Sequence, residues 1–150
     1  RRDVFRGEQR EGERVLVRVD AGPVVADHPP AARHFGMVQD VAQVRPVAQH
    51  LHAWCDYSKA KHQLHYWQTR SRAEIDFVVY GESGLYAIEV KNAKQVKPAD
   101  LTALRSFGED YPQSQRYLLY RGSDRIKRDG VLCLPCEEFL LGLKPDQIPR

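Results

Sequence analysis

The sequence predicts an α/β domain: a mixed central sheet flanked by helices, with its elements in the order α-β-β-β-α-β-β-α. Three observations carry this. Two strand-like runs flank a glycine-bounded turn, Gly81-Glu82-Ser83-Gly84, the signature of an antiparallel hairpin. Helical spacing interrupts the strand-like runs near residue 98, so the sheet has helices to pack on. The chain has 150 residues, 42% hydrophobic and 29% charged, the balance of one ordinary globular domain or of a domain with an extra arm.

The elements follow in order from residue 44. Pro46 suits the first turn of a helix, where its missing N–H costs nothing. Val47, Leu51 and Trp54 then recur at helical spacing, and the helix ends near Tyr57-Ser58. Leu64 to Thr69 is an aromatic-rich strand. Glu74 to Tyr80 and Leu85 to Val90 are the two arms of the hairpin. Pro98-Ala99-Asp100 opens a helix with Leu101, Leu104 and Phe107 on one face, and Tyr111-Pro112 stops it. Arg116 to Tyr120 is a fourth strand, Ile126 to Leu134 carries a fifth, and Pro135 to Leu143 is a short closing helix. Residues 144–150 form a tail.

Residues 1–43 have a different character. The first fifty positions hold eight Arg and no Lys, and ten Val against one Leu. Val15 to Val19 alternates like a strand. Three readings of this arm stand side by side: a β-hairpin extension turning at Ala21-Gly22-Pro23, a disordered extension, or out-of-frame translation of GC-rich DNA. The chain starts with Arg rather than Met, as a piece of a longer protein would.

Bulk properties exclude some classes. No apolar run approaches the ~18 residues of a membrane span, and no secretory signal is visible. An odd count of cysteines, Cys55, Cys133 and Cys136, points to a reducing, cytoplasmic compartment. No Walker A run is present, so the chain is not itself a P-loop nucleotide hydrolase. A net charge of +3 permits nucleic-acid binding without arguing for it.

The chemistry concentrates in the hairpin. If Tyr80 faces Leu85, then Val78 faces Ala87, Asp76 faces Glu89 and Glu74 faces Lys91. Side chains alternate with period two. Glu74, Asp76, Glu89 and Lys91 then share one side, and Ile75, Phe77, Val79, Ile88 and Val90 share the other. Directly opposed carboxylates repel, so one is protonated, or a nearby cation or a bound metal neutralises them. Two readings remain open. In one, Lys91 pairs with Glu89 in a charge ladder on a half-exposed face. In the other, two carboxylates on adjacent strands offer hard oxygen ligands to Mg²⁺, and the lysine stabilises charge developing on phosphorus.

The stretches Tyr66-Trp67-Gln68-Thr69-Arg70-Ser71, Glu74-Ile75-Asp76-Phe77-Val78, Ala87-Ile88-Glu89-Val90-Lys91, Pro98-Ala99-Asp100-Leu101 and Leu132-Cys133-Leu134-Pro135 carry a resemblance. Together they resemble the PD-(D/E)XK, or restriction-endonuclease-like, superfamily. More narrowly, they resemble an uncharacterised nuclease-like domain at the C-terminus of bacterial and archaeal AAA-type ATPases. The resemblance covers about half the chain. It implies a restriction-endonuclease-like core. It also implies Asp76 and Glu89 as ligands of Mg²⁺ or Mn²⁺, Lys91 as the catalytic lysine, DNA or RNA as substrate, and an ATPase domain or protein as partner. Such families also place an acid on the first helix. The corresponding stretch here, Arg45 to His50, has none. A non-cutting interaction module is therefore the alternative expectation.

Other residues have plainer readings beside sharper ones. Arg70, Arg72, Lys94 and Lys97 would contact phosphates if the site faces nucleic acid, and otherwise are solvated charges. Cys133-Leu134-Pro135-Cys136 is a C-x-x-C, either a thiol redox pair or cysteines packed as small hydrophobes. Tyr66 and Trp67 are expected in the core. His50, His52, His62 and His65 form no zinc pattern.

Overall fold

The structure is a computed structural model that describes residues 15–18, 41–68 and 73–150. Their elements are β1 (Val15–Arg18), α1 (Val41–Tyr57), β2 (Gln63–Gln68), β3 (Glu74–Gly81), β4 (Gly84–Val90), α2 (Thr102–Asp110), β5 (Gln115–Tyr120), β6 (Ile126–Arg128), β7 (Val131–Pro135) and α3 (Cys136–Gly142). A single turn of 3₁₀ helix, Pro98–Leu101, leads into α2. The mixed α/β class is as expected, and from residue 44 onward the order differs only in that the expected fifth strand is two, β6 and β7.

The strands form one mixed sheet in the order β1-β2-β3-β4-β5-β7-β6. Neighbours from β1 to β4 are antiparallel, β4, β5 and β7 are parallel, and β6 returns antiparallel to β7. Parallel neighbours need a long crossover, and α2 supplies the one between β4 and β5. The sheet thereby gains two covered faces. On one, Val47, Leu51 and Trp54 of α1 and Phe139 of α3 pack over Val79, Ile88 and Leu119. On the other, Leu101, Leu104 and Phe107 pack over Trp67, Ile75 and Leu118. Trp67 is fully buried and meets Phe107 edge-on, with ring centroids 5.4 Å apart. This placement agrees with the core role expected for Trp67.

Four details differ from the sequence expectation. The first helix starts at Val41, so Pro46 lies at its sixth residue and is enclosed by the helix; the carbonyl four residues back loses its helical donor there. The run from Ile126 to Leu134 is a hairpin rather than one strand. Asp129 and Gly130 both take positive φ, 52° and 73°, and Arg128 pairs with Val131 around them. Asp-Gly is the dipeptide that such a two-residue turn favours. The strand at Val15 is joined to the domain's own sheet beside β2, a pairing that the sequence expectation does not include. The rest of the N-terminal arm, with the turn expected at Ala21-Gly22-Pro23, lies outside the described residues.

The fourth difference bears on the site. His65 pairs with Val78, but Trp67 pairs with Ile75. Two residues of β3, Asp76 and Phe77, therefore oppose the single residue Tyr66, which is a β-bulge. Phe77 and Val79 face α1, whereas Ile75 is turned to the α2 side. Ile75 does not share a side with Phe77, Val79, Ile88 and Val90, because one extra residue reverses the alternation beyond it.

Candidate active site

The hairpin closes in the expected register. Tyr80 pairs with Leu85 and Val78 with Ala87, and the ladder ends at Phe77 and Ile88. Asp76 and Glu89 come next, and there side chains replace the backbone ladder. The Val90 amide donates to Asp76 Oδ2 at 2.8 Å. The Asp76 amide donates to Glu89 Oε2 at 3.4 Å. The exchange falls at the residue where β3 bulges against β2. The end of β4 leans instead on β5, where the Lys91 amide donates to the Leu119 carbonyl at 2.8 Å.

Glu89 is 7% exposed, in a strand whose other members from Leu85 onward are apolar and buried. Lys91, partly exposed, brings its Nζ within 2.7 Å of Glu89 Oε1. Burial first and the neighbouring charge of Asp76 next raise the pKa of Glu89 to about 8, with Lys91 opposing both. The carboxyl thus holds a proton more readily than a free one.

Glu74 does not meet Lys91. It pairs across β2 with Gln68, whose side-chain amide donates to Glu74 Oε1. Tyr66, opposite the bulge, was expected only in the core. It is half-buried and interacts with Glu74, Asp76 and Glu89. Burial first and the charge of Glu74 next hold its phenol well above the ordinary tyrosine range. Its place beside three acids follows from the bulge, which the sequence does not announce.

The structure therefore brings together Asp76, Glu89 and Lys91. Lys94 and Lys97 are exposed on the loop that follows β4, and the Lys97 amide is occupied by Asp100 Oδ2 at 2.8 Å. Arg70 and Arg72 lie outside the described residues. Among the described residues no group of three or more His, Cys, Asp or Glu side chains is assembled for a metal ion.

The loop after β4 is tied to the turn after β5. The Arg121 amide donates to the Ala93 carbonyl at 2.8 Å, and Arg121 Nη1 donates to Asn92 Oδ1 at 3.2 Å. A Cβ on Gly122 would lie 2.1 Å from the Tyr120 ring and 2.8 Å from the Lys94 carbonyl oxygen. The ring cannot swing away cheaply, because Tyr120 Oη donates to the Asp124 carbonyl at 2.6 Å. Gly122→Ala is expected to lower stability by on the order of 1–3 kcal/mol, read as a lower urea midpoint with an unchanged slope.

The cysteines are free. Cys133 is fully buried on the α2 side, while Cys136 packs against the opposite core layer. Burial raises both pKa values, so neither favours the thiolate that exchange chemistry needs. The small-hydrophobe reading fits this placement. At the turn end of the hairpin, His62 is buried, stacks on Trp54 with ring centroids 4.2 Å apart and bonds the Ser83 hydroxyl.

Fold and site together define a mixed α/β domain with a buried carboxyl, a second acid and a lysine where a hairpin gives way to parallel pairing. A family model described as "Domain of unknown function (DUF4143)" matches residues 46–139, and the chain belongs to that family. No curated protein and no solved structure matches it. No helix among the described residues is long and apolar enough to cross a membrane.

Proposed function

We propose that this chain is a metal-dependent nuclease-like domain acting on phosphodiesters of DNA or RNA, with Mg²⁺ or Mn²⁺ as its cation. The observation that supports it best is Glu89, a buried carboxyl joined to Asp76 and 2.7 Å from the Lys91 ammonium. A purely structural strand position would be filled more cheaply by an apolar residue. The resemblance to the PD-(D/E)XK superfamily adds to the same reading.

The donor set suits a hard divalent cation. Asp76 and Glu89 offer oxygen alone, and Mg²⁺ takes one or two carboxylates while keeping waters. When bound, such a cation supplies charge against phosphate oxygens and lowers the pKa of water. Asp76 would be held in place by the Val90 amide, and Glu89 by the Asp76 amide. Lys91, partly exposed, can turn its ammonium toward negative charge developing on phosphorus.

The second reading is a non-cutting interaction module with an ATPase domain or another protein as partner. Two observations favour it. The helix stretch Arg45 to His50 lacks an acid, and both oxygens of Glu89 already have partners inside the protein.

Calorimetric titration with Mn²⁺ tests the first step. The native chain is expected to give a one-site isotherm, with affinity at least ~10-fold weaker in Asp76→Ala. Asp76→Asn, which keeps an acceptor for the Val90 amide, controls for folding. Equal heats in the native and Asp76→Ala chains would eliminate this site.

A further inference from the structure

We propose that His62 is a proton-operated clasp on the turn of the β3–β4 hairpin. Its neutral imidazole ties the turn to α1 and to residues 144–148, and a proton on Nδ1 releases them. The clasp lies at the opposite end of the hairpin from Asp76 and Glu89 and stands apart from the nuclease reading.

Three segments meet at this ring. The turn sits directly on it, since a Cβ on Gly81 would lie 2.6 Å from His62 Cδ2. The ring stacks on Trp54 of α1 at 4.2 Å, and Trp54 Nε1 donates to the Lys144 carbonyl at 2.6 Å. Asp146 ties the C-terminal segment to the loop before His62. Its Oδ1 accepts from the Ala60 amide at 2.8 Å, and its own amide donates to Ser58 Oγ at 3.1 Å. The turn and the C-terminal segment are walls of one cavity of about 520 Å³, with Ser83, Tyr86 and Asp146 in its lining. Releasing the clasp therefore reshapes that cavity.

Counting protons fixes the state of the ring. Tyr86 Oη gives its one proton to the Ser83 carbonyl at 2.9 Å. It also lies 3.1 Å from Ser83 Oγ, so the proton between the two hydroxyl oxygens is that of Ser83. Ser83 Oγ is then an acceptor toward His62, and Nε2–H is the donor. The opposite arrangement would leave two hydroxyl oxygens facing each other with no proton between them, and an unpaired N–H at Nδ1. Nδ1 therefore carries a bare lone pair. The residue is 8% exposed, and Nδ1 has no hydrogen-bond partner among the described residues. A proton placed there makes a buried cation with one N–H unpaired, which is costly enough to move the ring.

Burial holds the imidazole below its ordinary value of 6.5, against Asp146 on the C-terminal segment and Glu82 on the turn, whose charges favour the proton. Trp54 brings no charge from α1, and Lys59, Lys61 and Lys144 are exposed. The open state takes up the proton more readily, so the clasp is closed above 6.5 and loosens as pH falls below it.

Hydrogen exchange of the full chain, followed by NMR from pH 8 to pH 5, tests this. After correction for intrinsic rates, protection of the Lys144, Asp146 and Gln147 amides is expected to fall by up to about 10-fold per pH unit below 6.5. That of Ile88 and Leu119 should hold. Imidazole ¹⁵N shifts at pH 8 should report the Nε2–H tautomer. His62→Gln, whose amide can still donate to Ser83 Oγ, should make protection independent of pH, and His52→Gln should leave the pH dependence as it is. An Nδ1–H tautomer at pH 8, constant protection in the native chain, or a pH dependence that survives in His62→Gln overturns the proposal. Should His62→Gln fail to fold, the tautomer and the native chain's exchange decide by themselves.

Discussion

Glu89→Gln is expected to make the protein more stable at alkaline pH while leaving it unchanged at acid pH. The unfolded carboxyl titrates near 4.5, and in the folded chain burial and Asp76 raise this to about 8. Between those values the native state holds a proton that the unfolded state has lost. Stability from this group is therefore full below 4.5 and is lost as pH rises through 8. Each unit of separation is worth about 1.4 kcal/mol, so the cost at pH 9 is on the order of a few kcal/mol.

Glutamine removes the charge and keeps the shape. Its carbonyl can accept from the Asp76 amide, and the partly exposed Lys91 can turn to water. Thermal melts of both chains from pH 5 to pH 9 should coincide at the acid end and separate as pH rises, with the variant higher. Parallel curves would mean that Glu89 is ionised throughout, and the case for a site that attracts cations would lose its physical basis. Acidification alone should not reproduce the effect in the variant, because its amide does not titrate.

If the chain acts as the proposed nuclease, Lys91→Ala should abolish most cutting. Removing one preorganised donor from a developing oxyanion typically costs ~10²–10³ in rate, and that loss is expected here for an oligonucleotide in Mn²⁺. The same substitution removes the one favourable charge that lowers the Glu89 pKa. The loss of stability should therefore begin in the same range, near the unfolded value, but run on to higher pH and grow larger than in the native chain. The two readouts separate the functional readings. A rate that falls together with this shift assigns Lys91 to the reaction. A folded native chain with no cleavage, whose Lys91→Ala variant still shows the pH shift, is what the interaction-module reading requires. Combining Lys91→Ala with Glu89→Gln should add little to either single loss of rate, since groups acting as one unit are not additive.

Much of the hairpin was legible before any coordinates. The glycine-bounded turn set the pairing of Tyr80 with Leu85 and Val78 with Ala87, and period-two alternation put Glu89 and Lys91 on one side. The bulge was not legible, because nothing in Glu74-Ile75-Asp76-Phe77 distinguishes an extra residue from a continuing strand. It turns Ile75 toward α2 and sends Glu74 to Gln68 instead of Lys91. The C-x-x-C shows the same limit. Its spacing suggests a pair, yet a strand ends and a helix begins within it, and its sulfurs part to opposite layers.

Arg121 marks the boundary from the other direction. It carries no motif and lies far from Asn92 in the chain. Only the parallel docking of β5 on β4, with α2 crossing between them, brings it to Asn92. The sequence alone determined the order of the elements apart from the β6–β7 hairpin, the register of the β3–β4 hairpin and the presence of two acids with a lysine on it. These depend on local backbone geometry and on the alternation of a few neighbouring residues. Tertiary structure decided the bulge and the depth of Glu89, and hence its proton affinity. Those depend on desolvation and on contacts between segments that only the packed sheet brings together.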